Sequence, residues 1–459
     1  MKKIYLVFLI FSMLSCSDDF LELAPESEAN ADNFYQNEDD FNTALVGVYA
    51  NLQSQVSDVY FEMTGYRSDN MQLDAPTAGT QDRYNIDVFQ ETSANGIILD
   101  AWALLYNGIA QSNEIISRID GADFSENLKN QLEGEARFLR AMNYFNLVRF
   151  WGNVPLVLNP VSPNEALSIG RNDESEVYLA IEEDLIFASE NLPESFTGDD
   201  FGRATAGAAN AMLGKVYLTE EKYSEAKTVL EKVINGGQYL LLDSIQDVFD
   251  VNNKGNEEVI FAIRYNKEVI DEGHGTWFTV PDPTTSSVVS ASLVNSYADN
   301  DLRKNLIEFT QSGSAFILNK FYDELSETTN TTGNDYIVLR YADVLLMHAE
   351  VLNELGYESD GEAFERLNEV RVRAGLVMVS GAEISDQAAF RAFVLNERRL
   401  ELPLEGERWF DLIRTKTAVE AIEEVGVSIQ KYQFLYPVPQ TEIEKINNTD
   451  LFSQNEGYN

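Results

Sequence analysis

The feature that most constrains the fold of this chain is a predicted helix pair spanning Thr205–Gly237. Apolar and small residues recur there at the offsets of a tetratricopeptide repeat, in which two helices pack against each other. The small residues Gly214 and Ala226 allow a close approach of the two helices. A looser copy of the pattern spans Tyr341–Gly375. Because one such pair cannot bury its own apolar face, we expect several pairs to stack into a right-handed scaffold.

Two long helices are predicted before this repeat. From Asp100 to Ile119, apolar residues recur at the spacing of one helix face, with Asp100 as the expected N-cap. A second apolar run extends from Leu128 to Phe150, and the Gly and Pro of Trp151–Pro155 end it. The fold class that we predict is therefore mainly α, with long loops and a few short strands.

Two segments interrupt the helical pattern. The early segment, residues 57–98, is rich in small polar residues and is predicted to be irregular, with alternation returning at Ile86 and Val88. The central segment, residues 266–300, follows an alternating stretch, Glu258–Tyr265, that is typical of a strand, and it predicts a short strand and a loop. Loops of this length in a compact domain are usually functional or disordered, so we expect function or disorder in these two segments.

The N-terminus has the pattern of a bacterial lipoprotein signal. Two lysines precede an apolar run that is too short to span a ~30 Å hydrocarbon core, and small Ser15 stands at the expected cleavage site before Cys16. Cys16 is the only cysteine in the chain, so lipidation explains it better than redox chemistry does. We predict a signal peptide at residues 1–15, a lipidated tether at residues 16–35 and a single domain at residues 36–459.

The charge of the chain excludes one class of partner. The formal net charge is −43, from 76 acidic and 33 basic residues. Such a surface repels nucleic acid and anionic phospholipid, so binding to a phosphate backbone is set aside. The acidic residues are spread along the chain, which suits solubility in a salty medium.

The sequence offers little for catalysis. Of the two histidines, His274 lies in a Gly-flanked loop, and His348 lies in an apolar helix stripe where we expect a satisfied core residue. A zinc site or a Ser-His-Asp triad would depend on these two alone. A glycoside hydrolase needs two carboxylates ~5 to 9 Å apart, which an acidic chain offers everywhere. We expect no cofactor, and a structural calcium ion is left open at Asp299, Asn300 and Asp301.

An ordered series of short motifs runs through nearly the whole chain after Cys16. The motifs are Trp102 with Tyr106, Ile109 and Asn113; Arg137–Ala141 with Tyr144 and Phe145; Trp151–Pro155; Arg340–Leu346 with Ala349 and Glu350; Asn368–Arg371 with Ala374–Leu376; Glu397–Arg399 with Glu401 and Leu402; Glu405, Gly406, Arg408 and Trp409; Asp411, Leu412 and Arg414; and Tyr436–Pro439 with Glu442, Ile443, Gln454, Asn455, Gly457 and Tyr458. By this series the chain resembles the SusD/RagB family of surface glycan-binding lipoproteins of Bacteroidetes.

The resemblance implies a fold, a location and a partner. It implies four tetratricopeptide-like helix pairs, a lipid anchor in the outer membrane facing the cell exterior, and docking on a SusC-like TonB-dependent transporter. It also implies binding of oligosaccharide or polysaccharide without catalysis, and a neutral laminarin-like β-glucan is one candidate because the acidic surface disfavours a polyanion. Two alternatives stay open: a structural lid or peptide-capturing lipoprotein of the same transporter class, and a glycoside hydrolase.

Sugar binding needs an aromatic ring against the apolar face of a sugar ring. Trp277, beside Phe278 in the central segment, is the candidate, because the other three tryptophans belong to the helical motifs. Its alternative role is to anchor its own loop in the core, since buried Trp is common.

Planar polar side chains should bind the sugar hydroxyls. The resemblance implies that the early segment faces the same binding site as the central segment, so we expect these side chains there. The candidates are Arg67, Asp69, Asn70, Arg83 and Tyr84. Arg83 and Tyr84 are favoured, since Asp69 and Asn70 are also typical turn formers. The charged stretch Glu397–Arg414 resembles an active site, but we interpret it as a structural network of arginines and carboxylates.

Overall fold

The computed structural model describes residues 34–73, 75–76, 79–269, 279–280, 289–312, 315–323 and 332–458. The predicted signal peptide, Cys16, His274, Trp277 and Phe278 lie outside these residues. The boundaries proposed for the signal peptide and the tether therefore stay predictions.

The described chain is mainly helical, as predicted. Its α-helices are α1 Glu38–Gln55, α2 Phe61–Gly65, α3 Gln81–Asp87, α4 Gly96–Ile119, α5 Glu126–Trp151, α6 Pro163–Ala166, α7 Glu174–Asn191, α8 Ala206–Thr219, α9 Tyr223–Gly236, α10 Ile245–Val248, α11 Ala291–Ser296, α12 Tyr341–Leu355, α13 Glu362–Arg373, α14 Gln387–Glu401, α15 Arg408–Arg414, α16 Ala418–Glu424 and α17 Gln440–Ile446. Short 3-10 helices span Gly198–Asp200, Leu302–Ile307, Asn319–Phe321 and Lys431–Phe434.

Helix stacking builds the scaffold. Eight of the described helices pack each on the next, in the order α1, α4, α5, α7, α8, α9, α12 and α13. They form four successive pairs, which agrees with the several pairs that the repeat pattern predicts and with the number that the resemblance implies. One apolar core runs along most of this stack, and a second surrounds α12, α13 and α14. Trp102, Trp151 and Trp409 are buried in the first core.

The pair α8 and α9 shows how the sequence sets the helix boundaries. The Thr205 hydroxyl accepts a hydrogen bond from the Ala208 backbone N–H and caps α8. Gly237 ends α9 with a φ of 70°, a left-handed conformation that glycine adopts without strain. A Cβ on Gly214 would overlap the buried side chain of Leu230. The absence of a side chain at Gly214 therefore permits the close approach of the two helices.

The early segment contains more helix than its composition predicts. A π-type turn, Val56–Tyr60, continues α1 directly into α2, and α3 occupies the place where alternation was expected at Ile86 and Val88. The polar residues misled the prediction because many of them are paired inside the fold. The N-cap of α4 also differs, because Asn95 accepts hydrogen bonds from Ile97 N and Ile98 N, at 3.0 and 3.4 Å, whereas Asp100 lies inside the helix.

Two small antiparallel sheets accompany the helices. In the first, β1 Val259–Ile263 pairs with β5 Tyr336–Arg340, and β5 leads directly into α12. The second has the order β2 Thr279–Val280, β4 Ala315–Leu318 and β3 Phe309–Ser312. The strand predicted within Glu258–Tyr265 is confirmed, with a local irregularity in pairing around Phe261.

A buried network of ion pairs joins the C-terminal helices to the scaffold. Arg340 contacts Glu401 at 2.6 Å, Glu405 at 2.8 Å and Glu258 at 3.0 Å. Burial alone would raise the pKa of Glu401, but Arg373 and the other arginines around it lower that pKa to about 2. Carboxylates held in this way by guanidinium groups inside the protein agree with the structural interpretation of Glu397–Arg414.

Among the residues that the structure describes, no helix combines the length and the apolar character that crossing a membrane requires.

Candidate functional site

The early segment meets the described flank of the central segment around Met71 and Val289. Met71 and Val289 form an isolated antiparallel bridge, and Ser290 N donates to Asn70 O at 2.9 Å. The Ser290 hydroxyl donates to Asp69 O at 2.6 Å. The two segments that were predicted to share a binding face are therefore neighbours where both are described.

The side chains of Asp69 and Asn70 are buried at this junction and bind arginines of the C-terminal helices. The Asp69 carboxylate accepts from Arg408 Nε at 2.7 Å and lies 3.0 Å from Arg399 Nη2. Asn70 Oδ1 accepts from Arg399 Nε at 2.8 Å. Both residues are 2% exposed. Asp69 and Asn70 therefore hold the loop in place. This corrects the expectation that they contact a ligand, and it agrees with the alternative that they form a turn.

Arg67 lies in the core. This corrects the prediction that its side chain binds sugar hydroxyls. Its guanidinium group is enclosed by the rings of Phe89 and Tyr436, each with a centroid 4.3 Å away, and Nη1 is 2.6 Å from Glu91. Burial alone would lower the pKa of Arg67, but the neighbouring Glu91 outweighs it and raises that pKa. With no exposed surface, Arg67 stabilises the base of the early segment.

Arg83 and Tyr84 remain at the surface of the early segment. Both lie on α3 and are half-buried, and Arg83 forms an ion pair with Glu62. Burial would lower the pKa of Arg83, but Glu62 raises it. Leu73 N donates to Asp87 Oδ2 at 2.9 Å and so ties α3 to the chain that follows Met71. Arg83 and Tyr84 are therefore held beside the junction of the two segments.

Trp277 and Phe278 lie outside the described residues, so their role stays a prediction. The strand that directly follows them, β2, is described. Thr279 and Val280 pair with Ile317 and Phe316 of β4.

The residues considered for calcium are in part already paired. Both oxygens of Asp301 bind the Arg303 guanidinium group, at 2.9 and 2.7 Å, and Asn300 Nδ2 donates to Gly375 O at 3.3 Å. Within the described ranges, no group of three or more His, Cys, Asp and Glu side chains is placed to hold a metal ion. The expectation of no cofactor stays a prediction.

A separate cleft was missed by the sequence analysis. Two adjoining cavities of 390 and 250 Å³ lie against β1 and share Phe201, Arg203 and Arg264 in their linings. The aromatic candidates Trp277, Phe278 and Tyr84 all belong to the early and central segments, and Phe201 lies in neither. The signal available was Phe201 itself, an aromatic residue next to Gly202 in an acidic loop and outside any helical stripe.

Comparison with known proteins identifies the family. Residues 19–218 match a family model described as starch-binding associating with outer membrane, and residues 304–458 match the model of the SusD family. Two SusD-like proteins of Formosa agariphila are 27% and 28% identical, and the matches cover 95% and 99% of this chain and of each relative. The chain belongs to the SusD family.

Solved structures agree with this assignment. A laminarin-binding SusD-like protein has a TM-score of 0.77 and 28% identity, covering 92% of this chain and 100% of that chain. A SusD-like protein of Bacteroides fragilis has a TM-score of 0.80 and 22% identity, covering 95% of this chain and 100% of that chain. The second likeness concerns the fold alone. The fold predicted from the helix pairs and motifs is thus confirmed.

Proposed function

We propose that this chain is a lipoprotein of the outer-membrane surface that captures a neutral glycan and delivers it to a SusC-like TonB-dependent transporter. A laminarin-like β-glucan is the ligand proposed first. The observation that carries the proposal is the likeness to the laminarin-binding SusD-like protein, at 28% identity over 92% of this chain. No chemical reaction is proposed for the captured glycan.

The proposed glycan site is the face where the early and central segments meet. Trp277 and Phe278 would supply the aromatic surface, and Arg83 and Tyr84 the hydrogen bonds to hydroxyl groups. Their support is the position of α3, which is tied through Asp87 to the chain beside the Met71 bridge. The Arg83 side chain is already held by its ion pair with Glu62 when no ligand is bound. It therefore loses less rotamer entropy when a ligand binds.

Affinity electrophoresis of residues 17–459 tests glycan capture. The gels contain laminarin, levan, starch, xylan, mannan or alginate, and the variants Trp277→Ala and Arg83→Ala run beside the parent chain. We expect laminarin to retard the parent chain and both variants to lose most of that retardation. Absence of retardation in every gel would contradict the proposal, and release of reducing sugar from any polysaccharide would indicate a hydrolase.

A matched control separates the ligand role from a role in folding. Tyr432 is an exposed aromatic residue that contacts Tyr458 and belongs to neither segment of the proposed site. Tyr432→Ala should leave retardation unchanged. If it abolishes retardation as Trp277→Ala does, the effect is a general one on the fold and the proposed site is wrong.

The lipid anchor and the transporter are tested in cells. Cys16→Ala should lose labelling by a radioactive fatty acid and should no longer fractionate with the outer membrane. The parent chain should be cleaved by protease added to whole cells, and it should copurify with a TonB-dependent transporter from detergent extracts. Labelling that persists in Cys16→Ala, or a parent chain that copurifies with no transporter, would contradict these two parts of the proposal.

A further inference from the structure

The cleft beside β1 has the shape of a binding site. It lies between the chain that connects α7 to α8, the chain that follows α9, and β1. Its two cavities adjoin and have Phe201, Arg203 and Arg264 in both linings, and we call the two together the Phe201 cleft, with each cavity as one lobe. The larger lobe, at 390 Å³, falls within the range of small-molecule sites.

Phe201 is held in place and is nevertheless accessible. Arg264 Nη1 donates to Phe201 O at 2.9 Å, and the Arg264 guanidinium carbon is 4.9 Å from the centroid of the Phe201 ring. Gly255, at a φ of 61°, leaves the space into which the ring fits, because a Cβ there would overlap it. Phe201 as a residue is still 38% exposed. A fixed and exposed ring can stack on a ligand at little cost in side-chain entropy.

Polar groups around the ring have unused hydrogen-bonding capacity. The side chains of Gln238 and Glu257 line the larger lobe, are exposed, and make no hydrogen bond or ion pair with the described residues. Arg264 is 45% exposed at its side chain and lies 3.9 Å from Asp335, a distance too long for a hydrogen bond. The lining thus offers an amide, a carboxylate and a guanidinium group around one aromatic ring.

We propose that the Phe201 cleft is a second glycan site, which takes a neutral oligosaccharide. One sugar ring would place its apolar face on Phe201, and its hydroxyl groups would bind Gln238, Glu257 and Arg264. The proposal extends the function proposed above, but none of these residues belongs to residues 57–98 or 266–300. The two sites can therefore be tested separately.

The geometry favours a glycan over an extended peptide. In the described chain β1 pairs with β5 alone, so its other edge is available to an added strand in principle. However, the Arg264 carbonyl at the end of that edge already accepts a hydrogen bond from Gln53 Nε2 at 2.7 Å. This contact shortens the edge that a peptide could use, whereas a sugar ring requires the aromatic ring and the planar polar groups.

Isothermal titration of residues 17–459 with laminarihexaose, cellohexaose, maltohexaose and xylohexaose tests the second site. The variants are Phe201→Ala, Phe201→Tyr and Trp277→Ala, with Tyr432→Ala as the control of equal exposure. For at least one hexaose, we expect Phe201→Ala to weaken one class of site by about tenfold or more. Phe201→Tyr, which retains the ring, should keep the affinity within about threefold, and Tyr432→Ala should not change it.

The outcomes separate this proposal from the function proposed above. Binding that depends on Phe201 and persists in Trp277→Ala supports the second site, even if the first site fails. Binding that depends on Trp277 alone, or no binding of any hexaose, overturns the second site. A response to extended peptides that is lost in Phe201→Ala, without one to hexaoses, also overturns it and assigns the cleft to a peptide.

Discussion

His348 shows at the scale of one residue that burial and hydrogen bonding are separate predictions. The sequence predicts a satisfied core residue, and the side chain is indeed fully buried. Among the described residues, however, neither ring nitrogen has a hydrogen-bond partner, and Glu231 Oε1 is 3.9 Å from Nε2. The other charged groups that act on the ring are Glu362, Arg366 and Lys227. An apolar stripe reveals that a residue is buried but not which polar atoms it meets.

Burial lowers the pKa of His348 to about 4, which predicts a loss of stability in acid. In the unfolded chain the pKa of His348 is about 6.5, so the unfolded state binds a proton at a pH where the folded state does not. The free energy of unfolding therefore falls as the pH drops from about 6.5 to about 4. The free energy of unfolding of His348→Leu does not include this loss. Between about pH 6.5 and about pH 4 we therefore expect it to rise, relative to that of the parent chain, by on the order of 3 kcal/mol. Urea unfolding of both proteins at pH 7, 6, 5 and 4 measures the difference, and a constant difference would contradict the prediction.

Arg67, Asp69 and Asn70 show why polar residues were misassigned. They stand in a stretch with the composition of a loop, but their partners lie far away along the chain: Asp69 pairs with Arg408, and Arg67 packs on Tyr436. A single sequence does not show such pairs. The network in Glu397–Arg414 was easier to interpret, because arginines and carboxylates recur there among leucines.

Glu401 should contribute strongly to stability because it is buried among three arginines. Glu401→Gln keeps the size of the side chain but leaves Arg303, Arg340 and Arg373 short of negative charge, and we expect a loss of about 3 to 5 kcal/mol near pH 7. The folded pKa of about 2 lies below the unfolded value, so this contribution is present above about pH 4.5 and is lost as the pH falls toward 2. Urea unfolding at pH 7 and pH 3 measures both effects.

The exposed pair of Lys416 and Glu221 provides the control for Glu401. Glu221→Gln removes the same charge at the surface, where ion pairs contribute about 0 to 1 kcal/mol. If the two substitutions have equal effects at pH 7, burial is not the origin of the Glu401 contribution.

At the scale of elements, periodic segments were predictable and aperiodic ones were not. The helices α5, α8, α9, α12 and α13 agree closely with the predicted runs, since each has an apolar face of regular spacing. The helices α2 and α3 were missed because their segment is polar and their stability comes from tertiary contacts, such as Leu73 N with Asp87. A long helix can be predicted from the regular spacing of its apolar residues. A short helix in a polar segment depends on its tertiary contacts, which the sequence does not show.

Two glycines in helices should respond to alanine with opposite signs. Gly47 in α1 is exposed and a Cβ there meets nothing within 4 Å, so Gly47→Ala should stabilise the fold by about 0.5 to 1 kcal/mol through helix propensity. A Cβ on Gly214 in α8 would overlap Leu230. Gly214→Ala should therefore destabilise the fold by about 1 to 2 kcal/mol, although it gains the same helix propensity. Thermal unfolding measures both, and a stabilising Gly214→Ala would show that the helix pair is loosely packed.

At the scale of the whole molecule, the placement of the charges matters more than their number. Many arginines are buried in ion pairs with carboxylates, and Arg303, Arg340 and Arg398 are among the largest fully buried side chains. The −43 net charge therefore falls mainly on the surface, where like charges repel one another in the compact state. The sequence predicts the net charge, but the structure is needed to show which cations are withdrawn from the surface.

This distribution predicts that salt stabilises the protein. Raising sodium chloride from 0.1 to 1 M shortens the screening length from about 10 to about 3 Å, which weakens the surface repulsion but affects the buried pairs much less. We expect the free energy of unfolding to rise by on the order of 1 kcal/mol or more. Choline chloride at equal ionic strength should act alike, because screening does not depend on the identity of the ion. A decrease of stability with salt would contradict the prediction, and a larger gain with about 1 mM calcium chloride than screening allows would indicate a bound calcium ion.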